Sequence, residues 1–176
     1  MRPNTHLTTC LALAVAFLAV SAIDAGAQGQ MDRWGMVSNA EAQTLIDQGD
    51  ELFGSMDFSG ARAKYEDAAE IVRADGDFPG VPLYRIAASF YHEGKPMTAA
   101  GRLNALASES AVYGELVMET WALADAAWIH GQAGNKIDMD AYVERVTRLL
   151  KSPYLPDDVR AEITSKRLGE VTTLEQ

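Results

Sequence analysis

Two histidines, His92 and His130, are the residues of this sequence whose type and spacing most suggest chemistry. His92 and Glu93 begin like the His-Glu-x-x-His helix of zinc proteases, but Pro96 occupies the place of the second histidine. If the two histidines held matching places on successive repeats, they could share a metal with Glu93. Alternatively, both lie at helix C-termini, where a partial positive charge is favourable. We adopt this second interpretation and predict no metal and no cofactor.

Other polar groups form incomplete motifs. Asn135, Asp138 and Asp140 are spaced as in part of a calcium loop, but the central glycine and the distant glutamate are missing. Glu109 and Ser110 are similar to the catalytic pair of lysozyme-like lytic transglycosylases, which are exported helical enzymes, without the other motifs of that family. The sequence contains no nucleophile elbow, phosphate-binding glycine loop or dinucleotide fingerprint. We therefore predict that the protein is not an enzyme.

Residues 1–27 have the pattern of a secretory signal peptide. Basic and polar residues precede an apolar run over 11–20, and Ala25, Gly26 and Ala27 provide a small-x-small cleavage site. The run is about half the length that a membrane-spanning helix needs, so we expect cleavage near Ala27 and no membrane span in the mature chain. Cleavage would remove Cys10, the only cysteine, and deliver the protein to the periplasm or the extracellular space.

The charge balance excludes one class of partner. The chain has 15 basic and 25 acidic residues, a formal net charge of −10, and the acidic excess is concentrated between residues 28 and 80. Such a surface repels phosphate, so nucleic acid is not an expected partner.

Apolar residues recur at helical spacing in seven blocks, and no block alternates as a strand would. Ser38 and Glu41 form a capping box that predicts the first helix start, after an extended leader over 28–37. Pro96 and Pro156 are suited to helix starts, and Gly169 to a left-handed helix end. The predicted helices cover 39–54, 58–74, 82–93, 96–108, 111–131, 139–151 and 156–168, with a tail over 171–176.

Small and apolar residues recur at a regular interval along these blocks. On the first helix of each pair the recurring sets are Leu45, Gly49 and Leu52, then Leu83, Ala87 and Phe90, then Ala122, Ala126 and Ile129. On the second helix they are Ala61, Tyr65 and Ala68, then Ala99, Leu103 and Leu106, then Tyr142, Val146 and Leu149. Small residues in mid-helix let the paired helix approach closely. A period of this length, slightly longer than the usual tetratricopeptide repeat, indicates a solenoid of helix pairs.

The first of these units resembles the tetratricopeptide repeat family, since Gly49, Leu52, Ala61, Tyr65 and Ala68 fall at the spacings of that family. The third unit fits less well, because Asp125 falls at an apolar position and the turn between its helices is expected to be about four residues longer. The resemblance implies an all-α fold, a right-handed superhelix of about three antiparallel helix pairs. The domain spans 38–170, with units 39–74, 82–108 and 111–151 and a capping helix over 156–168.

In this family the first helix of each unit lines a groove that holds a peptide or a partner's helix. Carried over by position, the resemblance implies twelve groove residues: Gln43, Ile46, Asp50, Phe53, Tyr84, Ala88, Tyr91, His92, Thr120, Leu123, Ala127 and His130. We therefore predict a non-enzymatic adaptor of the cell envelope that binds a protein or peptide. Two alternatives stay open at this level: a cell-wall enzyme that is exported, and a structural subunit of a larger oligomer.

Overall fold

The computed structural model describes residues 36–169, which form seven α-helices and no strand within that range, as the spacing of apolar residues predicts. The predicted signal peptide, most of the leader including Trp34, and the tail lie outside the described residues. In chain order the helices are α1 (Ala40–Gly54), α2 (Phe58–Ala74), α3 (Gly80–His92), α4 (Pro96–Tyr113), α5 (Leu116–Gln132), α6 (Lys136–Leu149) and α7 (Asp157–Ile163). A π-helical turn, Thr164–Leu168, continues α7.

The first helix does not begin with the predicted capping box. Asn39 is the N-cap of α1, and its side-chain oxygen accepts hydrogen bonds from the backbone N–H groups of Glu41 and Ala42. The Ser38 hydroxyl instead donates to Asp77, 3.1 Å away. An asparagine one residue later provides the same oxygen acceptor, so it takes the capping role.

Several helix ends differ from the predicted ones. α3 begins at Gly80, two residues before the predicted start, and Pro82 lies in its first turn, where a missing N–H costs no intrahelical bond. α4 continues to Tyr113, past residue 108, because the first left-handed residue is Gly114, at φ 77°. Gly169 has helical φ of −62°, so the predicted left-handed end at this glycine is wrong.

The turn between the two helices of each pair recurs with the same backbone geometry. Two residues before each second helix the backbone is left-handed: Met56 at φ 65°, Gly94 at 83° and Gly134 at 71°. The next residue's N–H then donates over 2.9 Å to a carbonyl five residues back: Asp57 to Leu52, Lys95 to Phe90, and Asn135 to His130. The interval from Gly94 to Gly134 is therefore slightly longer than the interval from Met56 to Gly94.

The three turns are also equal in length, so the longer third turn that the sequence predicted is wrong. They occupy 55–57, 93–95 and 133–135. Because the second interval is longer, the position equivalent to Ala87 in the third pair is Ala127, one residue after Ala126, and both Ala126 and Ala127 are fully buried. In the same register the position equivalent to Ala99 is Met139, not Tyr142. The third pair thus matches the first two more closely than its sequence alone indicates.

Consecutive helices from α1 to α6 pack against each other, and the C-terminal segment, α7 with its π-helical turn, packs on α5. The ten repeat residues serve this packing: Gly49, Ala61, Tyr65, Ala68, Ala87, Ala99, Ala126 and Ile129 are buried, and Leu52 and Phe90 half-buried. A Cβ atom at Gly49 would overlap Cε1 of Tyr65, so only glycine lets this ring approach α1. No helix among residues 36–169 is both long and apolar enough to cross a membrane.

Candidate binding face on the first helices

The twelve predicted groove residues divide into two groups by burial. Five are buried in the packing of the helices: Ile46, Tyr84, Thr120, Leu123 and Ala127. Seven are partly exposed: Gln43, Asp50, Phe53, Ala88, Tyr91, His92 and His130. The buried group lies mostly on α5, because that helix has α4, α6 and the C-terminal segment packed against it. The surface that a partner can reach is therefore narrower than the twelve positions suggest.

A row of polar contacts, which we call the polar row, links α1 to α3 and α3 to α5. Asp50 on α1 accepts from Arg85 on α3, with Nε 2.8 Å from Oδ1 and Nη2 3.0 Å from Oδ2. The Tyr65 hydroxyl donates to the same carboxylate over 2.7 Å. The side chain of Arg85 is 8% exposed and that of Asp50 is 34% exposed, so the cation is buried and the anion reaches the surface. Arg85 Nη1 has no hydrogen-bond partner among residues 36–169.

The environment of Tyr65 is reflected in its acidity. Burial raises the pKa of Tyr65 above its ordinary value, and the hydrogen bond to Asp50 raises it further. The nearby Arg85 charge has the opposite, smaller effect. The phenol therefore remains a protonated donor, which the Asp50 carboxylate requires.

Asp125 on α5 continues the polar row. Its Oδ2 accepts from the Tyr84 hydroxyl on α3, and its Oδ1 accepts from Arg167 Nε in the C-terminal turn, each at 2.5 Å. The Asp125 side chain is only 8% exposed. A buried carboxylate is stable only when it is paired and hydrogen-bonded, and Tyr84 and Arg167 meet that need. The contacts account for the charge of Asp125, which the register read from the sequence placed at an apolar position and the register of the structure makes equivalent to Arg85.

A row of aromatic side chains runs beside the polar row. Phe53 at the end of α1 contacts the His92 ring, with 5.1 Å between ring centroids, and His92 contacts Tyr91 at 5.7 Å. Tyr91 contacts Trp128 on α5 at 5.6 Å, and the Arg167 guanidinium lies 5.3 Å from the Trp128 ring. We call Phe53, His92, Tyr91 and Trp128 the aromatic row. All four are half-buried, so the row joins α1, α3 and α5 and stays partly accessible.

Both histidines lie in the last turn of a first helix, α3 for His92 and α5 for His130, as predicted. The His130 ring stacks on Tyr142, and its Nδ1 atom is 3.2 Å from Asn135 Nδ2 and 3.6 Å from Asp138 Oδ2. Within residues 36–169, no group of three or more His, Cys, Asp or Glu side chains is arranged to hold a metal. The His130 side chain therefore contacts the turn that follows α5 and the helix α6 beyond it.

The glutamate and serine that resemble a catalytic pair do not face a common space. Both Glu109 oxygens accept from the Arg73 guanidinium, with Nη2 3.0 Å from Oε1 and 3.1 Å from Oε2. Ser110 is fully buried, and its hydroxyl donates to the Leu106 carbonyl over 2.8 Å. Glu109 thus forms an ion pair between α2 and α4.

The residues that sequence reasoning missed are Arg85, Asp125, Trp128 and Arg167. A shared helix face predicts that Trp121 and Trp128 both belong to the core; Trp121 is buried, whereas Trp128 belongs to the partly exposed row. The sequence signal that could have identified Arg85 and Asp125 is a charged residue on an apolar helix face. Such a charge is buried, and a buried charge needs a partner on a neighbouring helix. Comparisons of the chain with protein-family models, with curated proteins and with solved structures find no match.

Proposed function

We propose that this protein is a non-enzymatic adaptor that binds a peptide or a helix of a partner protein along the aromatic row. The observation that carries the proposal is the continuity of the row: three first helices contribute rings that contact one another from α1 to α5. Half-buried aromatic rings offer large contact areas at little cost in side-chain entropy, which is typical of residues that dominate binding energies.

The proposed architecture behind this surface is a right-handed superhelix of tetratricopeptide type. Three turns of equal length, each with a left-handed residue two positions before the second helix, support a repeated helix pair. In such a stack the first helices lie side by side, so groups at matching positions form continuous rows. The Asp50 to Arg85 and Tyr84 to Asp125 contacts join successive first helices in that way.

We propose further that the adaptor acts outside the cytoplasm, in the periplasm or the extracellular space. The support is the signal pattern in residues 1–27. The intact mass of protein recovered from the producing cell tests export. A chain that begins near Gln28 is expected, and a mature chain that retains Met1 would contradict it.

Binding is tested by purifying the tagged full-length chain from envelope extract and quantifying the proteins recovered with it. Three forms are compared: wild type, Tyr91→Ala, and Val112→Ala as a control on α4, where Val112 is 84% exposed. Loss of a dominant aromatic contact costs about 2 kcal/mol or more, roughly thirtyfold in affinity. At least one protein should be recovered with wild type and Val112→Ala and lost with Tyr91→Ala. Equal recovery of every protein with all three forms contradicts the proposal.

A further inference from the structure

The C-terminal end of the aromatic row is occupied by a side chain of the protein itself. Arg167 lies in the π-helical turn Thr164–Leu168, its Nε atom 2.5 Å from Asp125 Oδ1 and its guanidinium carbon 5.3 Å from the Trp128 ring centroid. Its side chain is 16% exposed. We call the position between Asp125 and Trp128 the arginine seat.

The chemistry of the arginine seat selects a guanidinium group. Asp125 provides a carboxylate that the Tyr84 hydroxyl orients from the other side. Trp128 provides an indole face, backed by the Tyr91 ring. A guanidinium is planar, so it can donate to a carboxylate and stack on an aromatic ring at the same time. A lysine ammonium is compact and strongly hydrated, and it does not match this pair of groups as well.

The element that carries Arg167 is short and has few buried residues. α7 has seven residues, of which only Ile163 is buried, and none of the five residues of the π turn is buried. Arg160 fixes the start of α7 through hydrogen bonds to the carbonyls of Leu150, Ser152 and Leu155. Arg167 lies about two turns further on, in the π turn that packs on α5. A helix this short contributes little stability of its own.

The other arginine of the polar row behaves differently. Arg85 is in the middle of α3 and its side chain is only 8% exposed, so it leaves Asp50 only if a buried part of the helix moves. Of the two carboxylate and arginine pairs, only the one at the end of the row has its arginine on a short helical element.

From this contrast we infer that the arginine seat is a binding site for an arginine side chain of the partner protein, and that Arg167 is an internal occupant that competes for it. This inference rests on the proposed function and names the chemistry of the partner: a segment with an arginine at one end of its contact with the aromatic row. Both groups of the seat, the Asp125 carboxylate and the face of the Trp128 ring, attract a cation.

The test titrates the full-length protein with a synthetic probe, acetyl-Gly-Ser-Arg-Ser-Gly-amide, and follows amide NMR shifts of α5. The matched lysine peptide is the second probe. If the seat is free in about a tenth of wild-type molecules, Arg167→Ala should bind the arginine probe about tenfold more tightly. Lys166→Ala, which removes the neighbouring exposed charge, should behave as wild type. Asp125→Asn combined with Arg167→Ala should lose the gain, and the lysine probe should bind more weakly.

Circular dichroism first checks the fold of each variant, and Arg167→Gln replaces Arg167→Ala if helix content falls. Equal affinity of wild type and the Arg167 variant for the arginine probe overturns the inference. So does a gain that survives Asp125→Asn. Partner recovery that depends on Tyr91, together with no gain for the arginine probe, would leave the adaptor function intact and remove only the arginine seat.

Discussion

The first and third helix pairs share one turn geometry but are stabilised in different ways. α5 buries ten of its 17 residues, whereas α1 buries three of 15, because only α5 has helices on both sides and the C-terminal segment against it. α1 has a side-chain cap from Asn39, and α5, which follows Glu115, has none. An end unit therefore depends on local contacts, while an interior helix depends on packing.

The two carboxylates of the polar row show the same contrast. Asp50 is partly exposed and its cation, Arg85, is fixed inside the fold. Asp125 is buried and its cation, Arg167, comes from the end of the chain. The first pair therefore has its arginine in the middle of a packed helix, and the second has it in the C-terminal turn, which is the pair that we propose to open.

The largest effect is expected from Asp50→Asn. The variant leaves the Arg85 charge buried without an anion, which typically costs about 3–5 kcal/mol. Asp125→Asn should cost less, because Arg167 can turn to solvent. Urea denaturation of both variants measures the difference, with the exposed Asp47→Asn on the same helix as a control. A larger loss for Asp125→Asn would contradict the contrast between the two pairs.

A second effect concerns the close contact of α1 and α2. Gly49→Ala should destabilise the protein by about 1–3 kcal/mol through overpacking against Tyr65, in spite of a better helix propensity. The second unit already combines Ala87 with Leu103 at these positions. Gly49→Ala should therefore cost less in a Tyr65→Leu background, which a double-mutant cycle measures. The same cost in both backgrounds would show that the ring does not require the glycine.

A third effect is a loss of stability at alkaline pH. Unfolded tyrosines ionise near pH 10, whereas the raised pKa keeps Tyr65 protonated in the fold. Above pH 10 the native state binds more protons, so the free energy of unfolding falls as pH rises, by up to about 1.4 kcal/mol per unit for this group.

Urea midpoints of wild type and Tyr65→Phe between pH 8 and 11 measure this slope. The variant should lose less stability above pH 10, although Tyr91 and Tyr142, whose pKa values burial also raises, keep their share. Comparison at pH 8 separates the lost hydrogen bond to Asp50 from the titration. Parallel curves above pH 10 would count against the burial of the Tyr65 phenol.

The smallest effect is at the helix starts. Asn39→Ala should cost about 1 kcal/mol, since its side chain satisfies two backbone N–H groups of α1. Glu115→Ala should change stability much less, because its side chain makes no cap hydrogen bond. Thermal unfolding compares the two variants. Similar losses would mean that the two helix starts do not differ as described.

The sequence was sufficient to predict the seven helices, because apolar residues recur at helical spacing in each of them. It was not sufficient for the third unit, where α5 is apolar on nearly all sides and gives no register. The turn at Gly134 provides that register, and only the backbone reveals it. The contact of Arg167 with Asp125 joins side chains far apart in the sequence, and no local pattern predicts such a pair.

Photo-cross-linking in the producing cell tests the adaptor function most directly. Benzoylphenylalanine is placed at Phe53, at Tyr91 and, as a control, at Val112 of the full-length chain. The partner-binding role of the aromatic row predicts that one and the same protein is cross-linked from positions 53 and 91 and not from 112. Cross-links only from 112, or the same proteins in equal yield from all three positions, would contradict it.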